Sequence, residues 1–453
     1  MKRILLKTFH LTAFVLCCCM GKQAMAQTPI SLKEALNYAL NNSEVIKQAK
    51  LDIQNAHQKV LENKANAYPQ IRVTSSLTGN PIVQQFVLPA EAFGGAPGEF
   101  SSIKVGQNWN AFSQVRLSQQ VYNQQLFTAM KAAKSSVELY EIINEASEEN
   151  VIQIVAANFL QVLISEEKLK VIDANIERME ALEEMMQGQF DAGLVKGIDL
   201  ERIKVNKSNL KTQKLSLKNA VAQQKNLLKY YMGMPVDEDI VLENSLAENS
   251  DKMALLDESD PVSLEQLNSF RILKKQEELL NLQKKVQKAE AYPSLVLDGN
   301  YTYNTQSEHL DIYSKKALNY DVSSINLTLS IPIFDGFSRR ARIKQTDIAR
   351  QQLQQDQRKT LNELKMNLTN SKEQMNISFE AIQDQVANIA LAQNVFNSTQ
   401  NNYKNGLAPL TDLLDAETEL VNAQNGYHEA VLNYKIAEIE YLKSQGKIKS
   451  LTF

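Results

Sequence analysis

Histidine and cysteine would be the most natural starting point for a catalytic or metal centre, and this chain has few of either. Its 453 residues include four histidines and three cysteines. His57, His309 and His428 lie far apart, and none has the spacing to a second group that is typical of a metal site or a catalytic triad. Glutamate-rich helix faces elsewhere are typical of solvated surface. The sequence therefore argues against an enzyme and predicts no metal site and no cofactor.

Two carboxylates with regular spacing are stronger candidates for a functional role. Asp412 and Asp415 follow a predicted turn, and their spacing of three residues puts both on one face of a helix near its start. Asp199 occupies the place that matches Asp412 in an earlier turn, whereas Arg202 stands where Asp415 would be. Acids in a first helical turn are also favoured by the helix dipole and by unpaired amides, so capping remains an alternative for Asp412 and Asp199. Asp415 lies one turn further into the helix, which favours a function for it.

These acids belong to a chain whose sequence contains an internal duplication. Three patterns recur in the same order at offsets of 224, 212 and 213 residues. Self-similarity on this scale predicts a duplicated helix–strand–strand–helix–helix unit. The recurring pairs are Ala67-Tyr-Pro69 with Ala291-Tyr-Pro293, Leu117–Tyr122 with Leu329–Phe334, and Gly193-Leu194 with Gly406-Leu407.

The first 26 residues have the features of a secretory signal peptide. A basic start leads into an apolar run and then Ala24-Met25-Ala26, a small-x-small cleavage pattern. All three cysteines lie in this segment, so the mature protein would have no disulfide and no cysteine-bound metal. They are either apolar residues of the signal or, for Cys19, a site of lipid attachment. Removing four basic and no acidic residues shifts the formal charge from −3 to −7, which disfavours a nucleic-acid partner.

Helix periodicity and turn residues predict the order of elements along the rest of the chain. The first repeat would cover residues 27–235, an acidic connector 236–261, and the second repeat 262–453. Long apolar series with steps of three and four residues predict coiled-coil helices. The predicted helices are 31–67, opened by a Ser31–Glu34 capping box, then 123–190, 198–231, 263–291, 338–405 and 410–447. The predicted strands are 70–78, 111–122, 294–303 and 320–334, with loops over 79–110 and 304–319.

The strands alternate apolar and polar residues, a pattern found both in soluble sheets and in membrane β-barrels. In a soluble sheet the apolar face would pack on helices; in an outer-membrane barrel it would meet lipid while the polar face lined a lumen. Four strands cannot close a barrel, so membrane insertion would require several chains, and three chains would supply twelve strands. We therefore predict a homotrimer. The predicted lipid-facing residues are Leu295, Leu297, Ile325, Leu327, Leu329 and Ile331.

The duplicated layout, the Gly-Leu turns and the segment Ile331-Pro-Ile-Phe-Asp-Gly-Phe337 resemble the TolC-type outer-membrane efflux protein family. The resemblance covers about residues 31–446. It implies a mainly α protein with a membrane β-barrel part: a trimer whose twelve-stranded barrel in the outer membrane is continuous with a long α-helical periplasmic tunnel. It also implies a periplasmic adaptor (membrane fusion) protein and an inner-membrane transporter of the RND, ABC or MFS type as partners. The chain itself would be a passive duct for small molecules or polypeptides.

The resemblance also assigns roles to the turns. Asp412, Asp415 and Asp199 match the family's gate acids, which would form rings of charge around the periplasmic mouth. The family has a basic residue two positions after the second Gly, but Ala408 stands there, so the closed gate would be locked in another way, for which Lys196 is a candidate.

Gly193 and Gly406 suit a left-handed helix C-terminus, which alone would explain them. The family adds that Leu194 and Leu407 meet the adaptor. The remaining alternative for the whole chain is an exported trimeric coiled-coil stalk or adhesin without an open channel.

Overall fold

The structure, a computed structural model, describes residues 29–243, 262–311 and 314–453, which divide into two units. The helical unit comprises the described residues up to 48, from 145 to 267 and from 362 to 453. The strand unit comprises residues 49–144 and the described residues from 268 to 361. The predicted signal peptide, with Cys19, and residues 244–261 of the predicted connector lie outside the described residues.

Helices form most of the described chain, with a smaller amount of sheet. The duplicated order predicted from the sequence is present: a helix, a strand pair and two long helices, twice over. The helices are α1 (Leu32–Asn42), α2 (Glu44–Ala65), α3 (Gln124–Asp191), α4 (Gly197–Met232), α5 (Asn268–Ala289), α6 (Ser338–Lys404) and α7 (Leu410–Ser444). The strands are β1 (Gln70–Gly79), β2 (Gln85–Pro89), β3 (Phe100–Lys104), β4 (Trp109–Asn123), β5 (Ser294–Ser307) and β6 (Leu318–Ser330).

The helical unit has one large apolar core, to which α1, α3, α4, α6 and α7 all contribute. Its fully buried centre includes Leu36, Phe159, Leu228 and Tyr434. These residues come from both sequence repeats, so neither repeat could bury its apolar face in this core alone. At about 1.5–3 kcal/mol for each large apolar side chain removed from water, this core is the main stabilising feature of the unit.

The single helix predicted over 31–67 is wrong in one respect, because the chain breaks at Ser43. Ser43 has an extended backbone (φ −56°, ψ 133°) and separates α1 from α2. The side-chain amides of Asn41 and Asn42 donate hydrogen bonds to the backbone carbonyls four residues earlier. Such residues compete with the helical hydrogen bonds of the backbone and favour helix ends. The predicted Ser31–Glu34 capping box at the start of α1 is confirmed.

The predicted acidic connector is not without structure over its first residues. Ile240 and Leu242 are buried in the core of the helical unit. Ile30 forms an isolated parallel bridge with Leu242, in which the Ile30 amide donates to the Val241 carbonyl at 2.9 Å. The apolar residues between the acids of 236–243 therefore hold this segment against the N-terminal end of the helical unit.

The strand unit contains an antiparallel sheet in the order β1-β4-β5-β6. The first repeat supplies β1 and β4 and the second supplies β5 and β6, so the β4–β5 pairing joins the two repeats. Within the described residues β1 and β6 are the edge strands. Trp109 begins β4, and its ring lies against Gly79 at the end of β1.

The structure departs most from the predicted strands in one loop and at two strand ends. The segment 79–110, predicted as loop, contains the small hairpin β2–β3. β5 runs to Ser307 because polar side chains take over from apolar alternation, with Thr305 donating to Asn319 and Ser307 to Asp311. β6 ends at Ser330 rather than at 334, since Pro332 has no amide to donate to a neighbouring strand.

Candidate functional site

Two turns close the long helices in the same way, one between α3 and α4 and one between α6 and α7. The Leu194 amide donates to the Gln189 carbonyl at 2.9 Å, and the Leu407 amide donates to the Asn402 carbonyl at 2.8 Å. Gly193 (φ 72°) and Gly406 (φ 71°) take the left-handed conformation that these Schellman motifs require. The glycines are therefore explained by backbone geometry alone.

The leucines after these glycines are not explained by packing. Leu194 is 76% exposed and Leu407 is 77% exposed. An apolar side chain at a solvent-facing turn gains nothing from its own fold, and here it occurs at both turns. Isolated exposed leucines are common on protein surfaces, so it is the repetition that singles out these two.

The two turns rest on a shared apolar cluster within the helical unit. Met186 of α3, Leu200 and Ile203 of α4, and Leu410 of α7 are buried together. Tyr403, near the end of α6, packs against the same cluster, and its hydroxyl donates to the Met186 sulfur. The turns of both repeats are thus held in one place by side chains from three long helices and the end of a fourth.

The candidate gate acids lie just behind the turns. Asp412 is in the first turn of α7, and Asp412 and Asp415 are both exposed. Asp199 is in the first turn of α4 and is half-buried. Neither helix has a side-chain hydrogen bond at its N-cap, where Lys196 and Pro409 stand. Capping through a side-chain bond therefore does not account for these acids, although the helix dipole still favours them.

Asp199 also connects the two turns electrostatically. Burial raises the pKa of Tyr403, and the negative charge of Asp199 raises it further. An acid from the first repeat therefore lies near a tyrosine of the second. Lys196, the candidate for a gate lock, is exposed on the first turn, while Ala408 is half-buried on the second.

Sequence reasoning missed a buried ion pair a little further from the turns. The Arg178 Nε of α3 donates to the Glu417 Oε1 of α7 at 2.9 Å, and the Glu417 side chain is only 5% exposed. The Arg178 guanidinium also lies 5.9 Å from the ring centre of Phe396. These residues line a cavity of about 280 Å³, which Tyr403 and Leu413 also line. Burial raises the pKa of Glu417, and the charge and hydrogen bond of Arg178 oppose that rise.

A sequence signal for this pair was available. Leu413, Glu417 and Leu420 follow the four-then-three spacing of core positions in long packed helices. Leu413 and Leu420 are indeed buried, so Glu417 is a charged residue at a core position. An acid in such a series predicts a buried partner, although the spacing alone does not identify Arg178.

The sheet has one face that is mainly apolar and one that is mainly polar, although Leu318 and Val322 lie on the polar side and Asp321 on the apolar side. We call the two sides the apolar face and the polar face. Residues directly opposite each other in the register share a face. The apolar face carries Ile71, Val73, Leu77, Val115, Leu117, Leu295, Leu297, Ile325, Leu327 and Leu329. The polar face carries Arg72, Thr74, Gln114, Arg116, Asp298, Asn300, Thr302, Ser324 and Asn326.

The predicted lipid-facing residues differ in exposure. Ile325 (83%), Leu327 (64%) and Leu329 (59%) are exposed, whereas Leu295 and Leu297 are half-buried. Ile331 is exposed but lies beyond the end of β6, so its assignment to the sheet is wrong. Among the described helices none is both long enough and apolar enough to cross a membrane. In the same part of the chain no cluster of His, Cys, Asp and Glu could hold a metal ion.

Comparison with known proteins shows which proteins this chain resembles. Residues 263–446 match the family model described as outer membrane efflux protein. The chain is 19% identical over 435 residues to the outer membrane protein TolC of Vibrio cholerae, an alignment that covers 95% of this chain and 93% of that protein. It is 21% identical to TolC of Escherichia coli, covering 91% and 84%. Residues 263–446 thus resemble an outer membrane efflux protein, and nearly the whole chain is similar to TolC.

Solved structures of outer-membrane channels share the fold of this chain. The Campylobacter jejuni CmeC outer membrane channel superimposes with a TM-score of 0.70 at 15% identity, covering 92% of this chain and 86% of that one. The open state of the Neisseria gonorrhoeae MtrE outer membrane channel gives a TM-score of 0.69 at 16% identity, covering 93% and 90%. At such identities the likeness establishes the fold alone.

Proposed function

We propose that this chain is an outer membrane efflux protein and acts as the passive exit duct of a tripartite efflux system or a type I secretion system. Cargo delivered by a periplasmic adaptor and an inner-membrane transporter would leave the cell through it. The matching family model is described as outer membrane efflux protein and the relatives as outer membrane protein TolC, and both descriptions support this role in the outer membrane. The energy for transport would come from the transporter.

The observation that carries the proposal is a sheet with one exposed apolar face and two free edges. In lipid, unpaired edge amides and carbonyls each cost several kcal/mol, so β1 and β6 must find partners. Three copies, with β6 of each pairing with β1 of the next, give a closed barrel of twelve strands with the apolar face towards lipid. The long helices of the same three chains would line the periplasmic tunnel.

The direct test is to extract the protein in detergent, cross-link it and record single-channel currents in planar bilayers. We expect cross-linked trimers and discrete conductance steps. A trimer without conductance would support a stalk or adhesin instead, and a water-soluble monomer would refute both.

Two adjacent residues of β6 test which face meets lipid. Ile325 lies on the apolar face and Asn326 on the polar face. We expect Ile325→Lys to reduce membrane insertion, since a Lys at mid-bilayer costs about 2–4 kcal/mol on a lipid-facing strand. The matched control Asn326→Lys should insert normally. Equal insertion of the two variants would mean that the faces are assigned incorrectly.

For the mouth of the duct we propose that Asp412 and Asp415, with Asp199, form rings of negative charge in the trimer. Their exposure beside the two turns supports this role. Asp412→Ala combined with Asp415→Ala should lower the preference for cations and change the conductance. Glu373→Ala, which removes an exposed acid from the middle of α6, serves as the control. Unchanged conductance and cation preference in the double variant would rule out the gate.

For the turns we propose docking of the adaptor. Leu194 and Leu407, with Gly193 and Gly406 setting their position, would enter apolar pockets of the partner. Leu194→Lys combined with Leu407→Lys should abolish transport and leave conductance unchanged, because both leucines are largely exposed in the described part of the chain. Leu215→Lys, at a 67% exposed leucine of α4, is the matched control. Transport at the level of that control would refute docking.

A further inference from the structure

The polar face of the sheet carries a cluster of charge that neither the gate nor the docking turns account for. Arg72 of β1 lies directly opposite Arg116 of β4 in the register. Asp298 of β5 lies one step along the same face. Within the four strands of this sheet these are the charged residues of the polar face; the fourth charged residue, Asp321, lies on the opposite face.

The three charges do not balance. Arg116 turns towards Asp298, and its Nη2 and Nε donate to the Asp298 Oδ1 at 2.8 and 3.2 Å. The Ser118 hydroxyl bonds to the same carboxylate, whose side chain is 18% exposed. The only acid of this face is therefore already engaged. Arg72, which is exposed, faces a second arginine instead of a counter-ion.

Closing the sheet against another copy does not supply an acid to Arg72. The new neighbour of β1 would be β6, whose polar face presents Leu318, Tyr320, Val322, Ser324, Asn326 and Thr328. None of these is acidic. Like charges directly opposite in a sheet are destabilising, so the placement of Arg72 opposite Arg116 carries a local cost.

We propose that Arg72 makes the polar face an anion-attracting belt inside the barrel, which favours cargo bearing carboxylate, sulfate or phosphate groups. This inference rests on the proposed function, because it requires the polar face to line a lumen. Three copies would bring three uncompensated guanidinium groups to one level of the duct. Guanidinium binds oxyanions through two parallel hydrogen bonds, and rings of like charge set the ion preference of a pore. The belt has the opposite sign to the acids at the turns.

The test is block of single-channel current by pyrene-1,3,6,8-tetrasulfonate, a rigid tetra-anion, added to one chamber at a time. We expect block from at least one chamber. Arg72→Gln, which removes the uncompensated charge, should weaken it by about fivefold or more. Arg72→Lys should retain most of the block. Asp298→Asn, which frees the charge of Arg116, should tighten it. The affinity should thus follow the net charge of the polar face, from Asp298→Asn through the unaltered chain to Arg72→Gln.

Lys104→Gln is the control, because it removes a cation of β3 outside the four-stranded sheet and should leave the block unchanged. Conductance of each variant shows that it has assembled. If channels conduct but Arg72→Gln and the unaltered chain are blocked equally, the belt is refuted and the duct stands. If no chain conducts, the proposed function fails first.

Discussion

The ion pair between Arg178 and Glu417 allows the energetic role of a buried charge behind the turns to be measured. The Glu417 side chain is almost wholly buried, whereas the Arg178 side chain is 30% exposed. Replacing Glu417 by Ala leaves the guanidinium at the cavity without its carboxylate. Removing one partner of a fully buried pair costs about 3–5 kcal/mol. Because Arg178 remains partly hydrated, we expect about 2–3 kcal/mol.

Glu417→Gln separates charge from shape. The amide oxygen can still accept from the Arg178 Nε, and the side chain fills the same space. Burying a neutral amide also avoids the desolvation that raises the pKa of Glu417. We therefore expect Glu417→Gln to lie within about 1 kcal/mol of the unaltered protein at neutral pH.

The pH dependence has a definite sign. The folded chain holds the Glu417 proton to higher pH than the unfolded chain does, because the folded-state pKa is raised. The contribution of Glu417 to stability is therefore full below its unfolded pKa and falls as pH rises through its folded pKa. Glu417→Gln removes this dependence, so its stability relative to the unaltered chain should improve between mildly acidic and neutral pH.

Thermal unfolding followed by far-ultraviolet circular dichroism, in detergent and across that pH range, measures the effect. Glu180→Gln is the control, because Lys211 lowers the pKa of that exposed acid and its contribution is lost as pH falls. The two variants should thus differ from the unaltered protein with opposite slopes. If Glu417→Gln keeps the slope of the unaltered chain, or Glu417→Ala is as stable as Glu180→Ala, the pair is not buried as described.

Three further predictions concern the stability of the helical unit, each measured by the same unfolding assay. Gly233→Ala should cost about 3 kcal/mol or more, since its Cβ would clash with the backbone carbonyl of Asn42. Gly406→Ala, at the same φ of 71° but in open space, should cost only about 1 kcal/mol, and equal costs would contradict the close approach at Gly233. Ser31→Ala should cost about 1 kcal/mol through loss of the capping box, and no change would mean that water replaces it. Lys229→Met should cost about 2 kcal/mol because the buried ammonium donates to the carbonyls of residues 236 and 238, and a neutral result would show that these carbonyls find other donors.

Much of the fold could be predicted from the sequence because its helices and strands follow hydrophobic periodicity and end at glycine or proline. The 3.6-residue series predicted α3 and α6, and alternation predicted β1, β4, β5 and β6. Turn glycines marked helix ends, and Gly406 and Gly446 follow Gly193 and Gly233 by the same 213 residues, all four with positive φ. These signals are local, so one sequence is enough to read them.

What could not be predicted has three different causes: backbone pairing without a side-chain pattern, local competition by side chains, and a partner distant in sequence. The hairpin β2–β3 lies in a glycine- and proline-rich segment without alternation, and backbone pairing alone defines it. The break at Ser43 reflects local competition by asparagine side chains that overrides a continuous apolar stripe. Glu417 was visible as an anomaly, but its partner Arg178 lies 239 residues away. No pattern within one helix encodes such a distance.

The two copies of the turn share a backbone conformation but differ in charge, and this difference argues that the second copy supplies most of the negative charge at the proposed mouth. In the first copy Arg202 is exposed one turn beyond Asp199, so the acid has a cation three residues away on its own helix. In the second copy Asp412 and Asp415 stand together, and their like charges reinforce each other. Placing an acid at residue 202 would make the copies electrostatically equal. In the proposed trimer the cation preference should therefore depend mainly on the second repeat, whereas the proposed docking through an exposed leucine should draw equally on both.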